Sequence, residues 1–284
     1  MFVYTPIKEF KLEGINTENV KDMSHLFEGC SSLTNVDITG FNSKNVKDMS
    51  YMFNSCKNIK QLDLNDLDTR EVINMANMFQ SCTSLANLYI NEIKTNKVED
   101  MSYMFDNCAS LVNLDINNFN TDSLKDMSYM FQGCKFKNLN LNNFNTEKVE
   151  YTTGTFKECN KLLELDISNF NLANNKDISF MFYNCQMLNK INFGNINTKN
   201  VRNMTNLFNG CLKLPYLDLT NFDTNRVVNM SSIFANCKEL NELNLTSFNT
   251  KNVQDMSHLF ESCKYLKNLT FGNNFNTSKV KYMK

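Results

Sequence analysis

The sequence predicts an α/β solenoid of ten units of about 26 residues, each a strand plus a helix, with a parallel sheet on one face. Successive cysteines are 26 residues apart, except for one gap of 25 between Cys134 and Cys159. A phenylalanine stands three residues before every cysteine. Within each unit the spacing of apolar residues changes from a helical to a strand pattern. A fixed period of this size is typical of a solenoid.

The first half of each unit has helical spacing. Val20, Met23, Leu26, Phe27 and Cys30 follow one another at intervals of three, three, one and three residues, which places them on one face of a helix of about three turns. A threonine or serine precedes nearly every such segment, where its hydroxyl can accept a hydrogen bond from the first amides. We therefore expect these residues to cap helices: Thr17, Ser43, Thr69, Thr95, Thr121, Thr146, Thr198, Thr224, Thr250 and Thr277.

The second half of each unit has strand spacing. Leu33, Val36 and Ile38 form the pattern L-x-x-L-x-L, with polar residues between them. Alternate side chains of a strand point to the same face. The pattern therefore predicts a short strand with its apolar side chains directed inward.

These two patterns together resemble a known family. L-x-x-L-x-L-x-x-F is a leucine-rich-repeat signature, and residues 119–139, FNTDSLKDMSYMFQGCKFKNL, closely resemble the BspA-like leucine-rich repeats. The resemblance covers about residues 15–284, with the core M-F-x-x-C-x-x-L at almost fixed spacing. BspA-like repeats occur in bacterial surface proteins, including mycoplasma-type surface lipoproteins. The resemblance implies an α/β leucine-rich-repeat solenoid, cell-surface display, and adhesion or host interaction.

The repeat leaves no room for a second domain. Residues 1–14 are interpreted as an N-terminal cap, since Phe10 and Leu12 resemble a degenerate strand. Residues 15–284 are interpreted as a single solenoid that ends inside an eleventh unit. A single unit buries too little apolar surface to offset its loss of chain entropy, so neighbouring units must stabilise one another.

Composition excludes several function classes. The net charge is -1, from 29 Lys and Arg against 30 Asp and Glu, which argues against nucleic acid as a partner. The sequence contains no run of about 18 apolar residues, so it predicts no membrane span. The first ten residues lack the features of a secretory signal. The sequence has no Gly-rich phosphate loop, paired catalytic carboxylates or Ser-His-Asp order. We expect no enzyme activity and no cofactor.

The cysteines are interpreted as a buried, reduced ladder of small apolar side chains. No C-x-x-C pair suggests a metal site, and the two histidines, His25 and His258, belong to the first and tenth units. Cysteines on neighbouring coils would have parallel rather than facing Cβ vectors, which disfavours disulfides. Ten reduced thiols favour a reducing or anaerobic environment.

One polar column on the strands is the main candidate for ligand binding. The residue between the last two inward positions is Asp37, Asp63, Tyr89, Asp115, Asn140, Asp166, Asn192, Asp218, Asn244 and Thr270. A row of carboxylates and amides about 5 Å apart could bind a glycan, a basic protein segment or, weakly, Ca²⁺. The alternative is an ordinary solvated strand face. The candidate ligand-binding residues are Asp37, Asp63, Tyr89, Asp115, Asp166 and Asp218.

A second column lies five residues before each cysteine. If the segment is helical, this column points away from the buried face. Its combination of Tyr with nearby Lys suits a protein contact, although an ordinary surface is the simpler interpretation. Its members are His25, Tyr51, Asn77, Tyr103, Tyr129, Gly154, Phe180, Asn206, Ser232 and His258.

The regular pattern is interrupted in the middle of the chain. One residue is deleted between Cys134 and Leu139, Thr152 replaces the usual Met, and Asn175 replaces an inward Val. A buried amide and β-branched or glycine substitutions weaken packed helices. We expect residues 134–178 to be the softest part of the array, as a bend, a local opening or a functional interruption.

The leading hypothesis is a non-enzymatic, surface-displayed binding or adhesion module that contacts a protein or glycan on a host or neighbouring cell. The rival hypothesis is an intracellular, cytoplasmic protein-interaction scaffold, favoured by the unpaired cysteines and the missing signal sequence. A targeting array attached to an enzyme is a third class.

Overall fold

The computed structural model describes residues 1–12 and 14–284. They form two compact units, Met1–Phe144 (unit 1) and Asn145–Lys284 (unit 2), and each is a parallel β-solenoid. The boundary falls within the irregular residues 134–178. A single array over residues 15–284 and a cap over residues 1–14 stay predictions, and residue 13 of that cap lies outside the described residues.

Each turn of a solenoid, here called a coil, contributes at most one short strand. Unit 1 contains β1 (Glu9–Lys11), β2 (Asn35–Asp37), β3 (Gln61–Asp63) and β4 (Asn87–Tyr89). Unit 2 contains β5 (Glu164–Asp166), β6 (Lys190–Asn192), β7 (Glu242–Leu245) and β8 (Asn268–Phe271). The strands pair in parallel as β1-β2, β3-β4, β5-β6 and β7-β8. The predicted parallel strands are confirmed, and the buried Leu62 between exposed Gln61 and Asp63 shows the alternation of the two faces.

The predicted helices are wrong: no described residue is helical. Two residues in each regular coil have left-handed backbone angles, one five residues before the cysteine and one directly before it. In the first coil these are His25, with φ of 56°, and Gly29, with φ of 68°. A left-handed residue ends an α-helix, so a segment that contains two of them within five residues cannot be helical.

The amides that a helix would bond internally are bonded to the neighbouring coil instead. In unit 1, every second residue from Met23 to Gly29 donates its N–H to a carbonyl of the next coil, at 2.8–2.9 Å. In unit 2, every second residue from Met204 to Gly210 does the same, at 2.9–3.0 Å. Glu28 and Cys30 instead donate to the carbonyl three residues earlier. The coils are therefore joined by backbone hydrogen bonds on more than the strand face.

The predicted helix-capping role of the threonines is also wrong, because the amide that each hydroxyl binds belongs to the next coil. Thr95 Oγ1 donates to the carbonyl of Asn120 at 2.7 Å and accepts from its N–H at 2.8 Å. In unit 2, Thr224 makes the same two bonds to Asn249, at 3.1 and 2.8 Å. These side chains are buried. The threonines thus hold consecutive coils together from within the core.

The core contains the side chains that the sequence placed there. Val46, Met49, Phe53 and Cys56 are all completely buried. The phenylalanines before the cysteines stack in each unit, with ring centroids 5.4–6.1 Å apart in unit 1 and 5.5–6.0 Å apart in unit 2. The inward set is therefore confirmed even though the backbone that presents it is not helical.

The cysteines are free, and all except the half-buried Cys263 are buried. Most of the thiols donate a hydrogen bond to a phenylalanine carbonyl of the preceding coil. Cys82 donates to Phe53 at 3.0 Å and Cys211 donates to Phe182 at 3.1 Å. The predicted buried ladder is confirmed. Its members act as hydrogen-bond donors as well as packing groups, and the carbonyl that accepts the thiol also accepts a backbone N–H of its own coil, as that of Phe53 does from Cys56 at 3.1 Å.

The first residues pack against the first coil of unit 1. Phe2 stacks on Phe27 with ring centroids 5.7 Å apart, and Phe10 meets the edge of the same ring at 4.9 Å. Phe2 also donates its N–H to the carbonyl of Leu26, and β1 pairs with β2. These residues thus continue the ladder that the first coil presents.

The irregular substitutions at 152 and 175 compensate each other. Asn175 is completely buried, but its Oδ1 accepts a hydrogen bond from Thr152 Oγ1 at 2.7 Å and its Nδ2 donates to the carbonyl of Val149 at 2.7 Å. The expected penalty for a buried amide therefore does not apply here, because the amide is hydrogen-bonded.

This pair predicts a double-mutant cycle in unit 2. Thr152→Met and Asn175→Val restore the side chains of the regular coils, but each alone leaves a buried polar partner unsatisfied, at a cost of about 1–3 kcal/mol. The double variant removes both groups and is expected to be at least as stable as the wild type. Urea unfolding of the four proteins measures this, and strictly additive destabilisation would contradict the pairing.

The burial of the thiols predicts their reactivity. Burial raises the pKa of Cys263 to about 11 and that of Cys185 to about 12, and the thiolate is the reactive form. At about pH 8, near the ordinary thiol pKa, a chromogenic disulfide reagent should modify only the half-buried Cys263, and Cys263→Ser should abolish that phase. All ten thiols should react in denaturant. Several thiols reacting at the rate of Cys263 in the native protein would disprove this protection.

Candidate functional site

The candidate residues lie at the ends of strands or at the equivalent positions of other coils. Asp37, Asp63 and Tyr89 are the last residues of β2, β3 and β4, and Asp166 is the last residue of β5. Asp115 and Asp218 occupy the same repeat position in coils without an assigned strand. Asp63 and Tyr89 are direct partners in the parallel register. All except the half-buried Asp37 are exposed.

Each aspartate of this column holds the turn that follows its strand. Oδ1 accepts the N–H of the residue two positions later, as in Asp63 with Asn65, Asp115 with Asn117 and Asp218 with Thr220, each at 3.1 Å. Asp37 and Asp166 make the same bond at 3.0 and 2.9 Å. This arrangement is an Asx turn. The column therefore has a structural role that the sequence analysis did not identify.

The Asx turns also favour the charged form of the carboxylates. The hydroxyl and amide of Thr39 lower the pKa of Asp37, and those of Ser168, with the side chain of Asn192, lower the pKa of Asp166. Hydrogen bonds to an ionised carboxylate stabilise it relative to the acid. These two side chains are thus anionic acceptors at neutral pH.

Three carboxylates of the column retain an oxygen for a ligand. Among the described residues, no protein donor bonds to Oδ2 of Asp63, Asp115 or Asp218, whereas Oδ2 of Asp166 accepts from Asn192 at 3.0 Å. In unit 2 the column alternates between Asp and Asn along 166, 192, 218 and 244. Like charges there are about 10 Å apart, roughly the screening length of physiological salt.

Exposed aromatic side chains accompany the column. Tyr89 is 43% exposed and lies between the coils of Asp63 and Asp115. In unit 2, Tyr216 is 50% exposed and lies two residues before Asp218, which places both on the same side of an extended chain. The sequence analysis missed Tyr216, although the two-residue period of a strand was sufficient to identify it.

The second column is less exposed than predicted. Only His25 and His258 are exposed, and the other members are half-buried or buried. The left-handed backbone turns these side chains toward their neighbours, so that His25 stacks on Tyr51 and Tyr103 stacks on Tyr129, each with ring centroids 4.7 Å apart. This column is mainly a packing feature of unit 1.

The described residues contain no group of three or more His, Cys, Asp or Glu side chains arranged to hold a metal ion. Within the same residues, no helix has the length and apolar character needed to cross a bilayer.

Comparison with protein families identifies the repeat. The model of a family described as a Mycoplasma protein of unknown function, DUF285, matches residues 1–110, 85–193 and 177–284. The matches together span the chain, and they confirm the mycoplasma-type repeat that the M-F-x-x-C-x-x-L pattern indicated. No curated protein matches the sequence.

Comparison with solved structures finds other repeat proteins. A leucine rich cell surface protein from Faecalibacterium prausnitzii aligns with a TM-score of 0.47 and 18% identity, over 94% of this chain and 73% of that chain. A leucine-rich repeat protein from Bacteroides ovatus aligns with a TM-score of 0.40 and 15% identity, over 98% of this chain and 74% of that chain. These identities are too low to transfer a function.

The Asx turns predict how variants of Asp166 behave. Asp166→Ala removes the acceptor and should destabilise unit 2 by about 0.5–2 kcal/mol, as loss of a comparable helix cap does. Asp166→Asn keeps Oδ1 and should cost less. Because the folded pKa of Asp166 is lowered, its contribution is present above the unfolded value of about 3.9 and is lost as the pH falls through the folded value.

Urea titrations between neutral and acidic pH measure both effects. The wild type should show a component of stability that disappears in acid, and Asp166→Asn should lack that component. An Asp166→Ala variant as stable as the wild type would contradict the structural role of this side chain.

Proposed function

We propose that this chain, which belongs to the DUF285 family of Mycoplasma proteins, is a non-enzymatic, surface-displayed binding or adhesion module. Its exposed Asp and Asn column contacts a protein or glycan ligand on a host or neighbouring cell. The resemblance to BspA-like repeats is the reason to propose surface display, and the strand-end column is the reason to propose binding.

The observation that carries this proposal is the fixed orientation of the carboxylates. Oδ1 of Asp63 and of Asp115 is held by the backbone of the following turn, so the side chain loses little further freedom when Oδ2 accepts a hydrogen bond from a ligand. Pre-organised groups bind more tightly because less entropy is lost on association. Exposed Tyr89 supplies an apolar surface on the same column, and tyrosine is enriched at binding surfaces.

Repetition strengthens such a surface. Each coil offers one carboxylate or amide, and several weak contacts to one extended ligand add through effective concentration. A ligand with repeated hydroxyl or cationic groups matches this arrangement, because each of these groups donates to an acceptor such as Oδ2.

The rival function is an intracellular protein-interaction scaffold. The observation that favours it is the set of free, buried cysteines, since reduced thiols persist most readily in a reducing compartment. The location of the protein in the cell distinguishes the two functions.

Protease treatment of intact source cells tests the location. An antibody to the repeats should lose its signal while a cytoplasmic control protein survives. Protection of the repeats until the cells are lysed would contradict surface display and support the scaffold.

A variant pair tests the binding column. Asp63→Asn with Asp115→Asn preserves the Oδ1 acceptors and removes two charges, and it should weaken binding to the best ligand on an array of glycans and matrix glycoproteins by about tenfold, the equivalent of 1.4 kcal/mol. The matched control is Glu18→Gln with Glu71→Gln, which also removes two carboxylates from unit 1. These acids form exposed ion pairs with Lys44 and Lys97, which contribute little to stability.

Unchanged binding by the Asp63 and Asp115 variant would disprove the assignment of the column. An equal loss in the control would indicate a general effect of charge rather than a site.

A further inference from the structure

A shallow groove on unit 2 is lined by cationic side chains. Arg202, Arg226 and Lys279 line it, together with Val228, Asn252 and Gln254, around a volume of about 300 Å³. Backbone bonds fix the order of the coils at its floor: Val228 donates its N–H to the carbonyl of Arg202 at 2.8 Å, and Gln254 donates to that of Val228 at 2.8 Å. The cationic side chains therefore stand on rigidly joined coils, Arg202 and Arg226 on adjacent coils and Lys279 two coils beyond Arg226.

No carboxylate neutralises these cations among the described residues. Arg226 donates to the amide oxygen of Asn200 at 2.9 Å, and Lys279 donates to that of Asn252 at 3.0 Å. An amide oxygen orients the cationic group but leaves its charge uncompensated. The side chains of Arg202, Arg226 and Lys279 are all exposed.

Two of the equivalent positions of unit 1 are neutralised. Lys97, the counterpart of Arg226, lies 2.7 Å from Glu71, and Lys125, the counterpart of Arg202, lies 2.8 Å from Glu99. Both acids come from the coil before their lysine. At these two positions of unit 1 a glutamate compensates the charge, whereas among the described residues no carboxylate lines the unit 2 groove.

The charge count along this face agrees with the individual contacts. In unit 2, residues 197–203, 223–229, 249–255 and 276–282 contain six cations, Lys199, Arg202, Arg226, Lys251, Lys279 and Lys281, and two acids, Asp223 and Asp255. In unit 1, residues 42–48, 68–74, 94–100 and 120–126 also contain six cations, but seven acids: Asp48, Asp68, Glu71, Glu99, Asp100, Asp122 and Asp126. These four segments of unit 2 therefore carry a net charge of +4, six cations less two acids, in a chain whose net charge is -1.

We propose that this groove binds a linear sulfated polysaccharide. Guanidinium groups bind sulfate through paired hydrogen bonds, and parallel coils present a cation about every 5–10 Å along the groove. Exposed Val228, which follows Arg202 on the next coil, offers a non-polar surface to the face of a sugar ring, and Asn252 and Gln254 offer amides to its hydroxyls. No aromatic side chain lines the groove, so it lacks the stacking surface that single-stranded nucleic acid requires.

This site lies on a different surface from the strand-end column and does not depend on the function proposed for that column. It also gives a role to the three uncompensated cations that line the groove. The electrostatic contribution to binding should be strongly dependent on salt.

Binding of a heparin dodecasaccharide to the full chain tests the proposal, measured by biolayer interferometry at about 0.15 M salt. The variant is Arg202→Gln with Arg226→Gln and Lys279→Gln. The matched control is Lys44→Gln with Lys97→Gln and Lys125→Gln, which removes the same charge from ion-paired positions of unit 1. All six side chains are on the surface, and circular dichroism checks that each protein is folded.

We expect the groove variant to bind at least about tenfold more weakly, since one charge-assisted hydrogen bond is worth at least that factor. The control should change affinity by less than about twofold, in line with the small contribution of exposed ion pairs. Equal losses in the two variants, or no binding by the wild type, would overturn the proposal.

Two further probes test the class of ligand. Desulfated heparin of the same length should bind much more weakly than heparin, and equal binding would disprove recognition of sulfate. An oligothymidine of similar charge should bind more weakly than heparin, and tighter binding that is lost in the groove variant would assign the groove to nucleic acid instead. Retention of heparin binding by the Asp63→Asn and Asp115→Asn variant would separate this site from the strand-end column.

Discussion

Every coil depends on its neighbour to satisfy its backbone. The left-handed residues at positions such as His25 and Gly29 prevent the local hydrogen bonds of a helix, so alternate amides from Met23 to Gly29 must find carbonyls on the next coil. A buried amide without a partner is costly. One coil alone would leave a whole row of such groups unpaired, which makes stacking a requirement for folding and explains why the stability of a solenoid resides largely in its interfaces.

Polar side chains also form hydrogen bonds to the backbone, at three fixed positions of the repeat. Thiols such as that of Cys82 donate to carbonyls in the core, hydroxyls such as that of Thr95 bond both backbone groups of one residue on the next coil, and carboxylates such as that of Asp63 hold the turns after the strands. Because these groups act on the backbone, their repetition by itself is no evidence of ligand binding. Only the atoms that remain unpaired, such as Oδ2 of Asp63, are available for recognition.

The sequence predicts the side-chain pattern better than the backbone. The period, the parallel strands and the buried Phe, Met and Cys follow from spacing, because spacing determines which side chains lie on one face. The same spacing cannot tell a helix from a turning chain that presents the same face. A signal was available: small or Asn residues such as Gly29, Ser55 and Asn107 stand before most cysteines, and such residues tolerate left-handed angles. Spacing does not reveal the Asx turns either, because an aspartate at the end of a strand can bind a ligand or accept a hydrogen bond from its own backbone.

Departures from the repeat are more informative about function than the repeat itself. Thr152 and Asn175 depart together and satisfy each other, so that departure is explained within the fold. The unit 2 cations are different, because Asn200 and Asn252 provide oxygen acceptors without the negative charge that Glu71 and Glu99 provide in unit 1. Folding gains nothing from six cations gathered on one face, since like charges repel and the coils are already joined by their backbones. A charge pattern with no benefit to the fold is best explained by a partner of opposite charge.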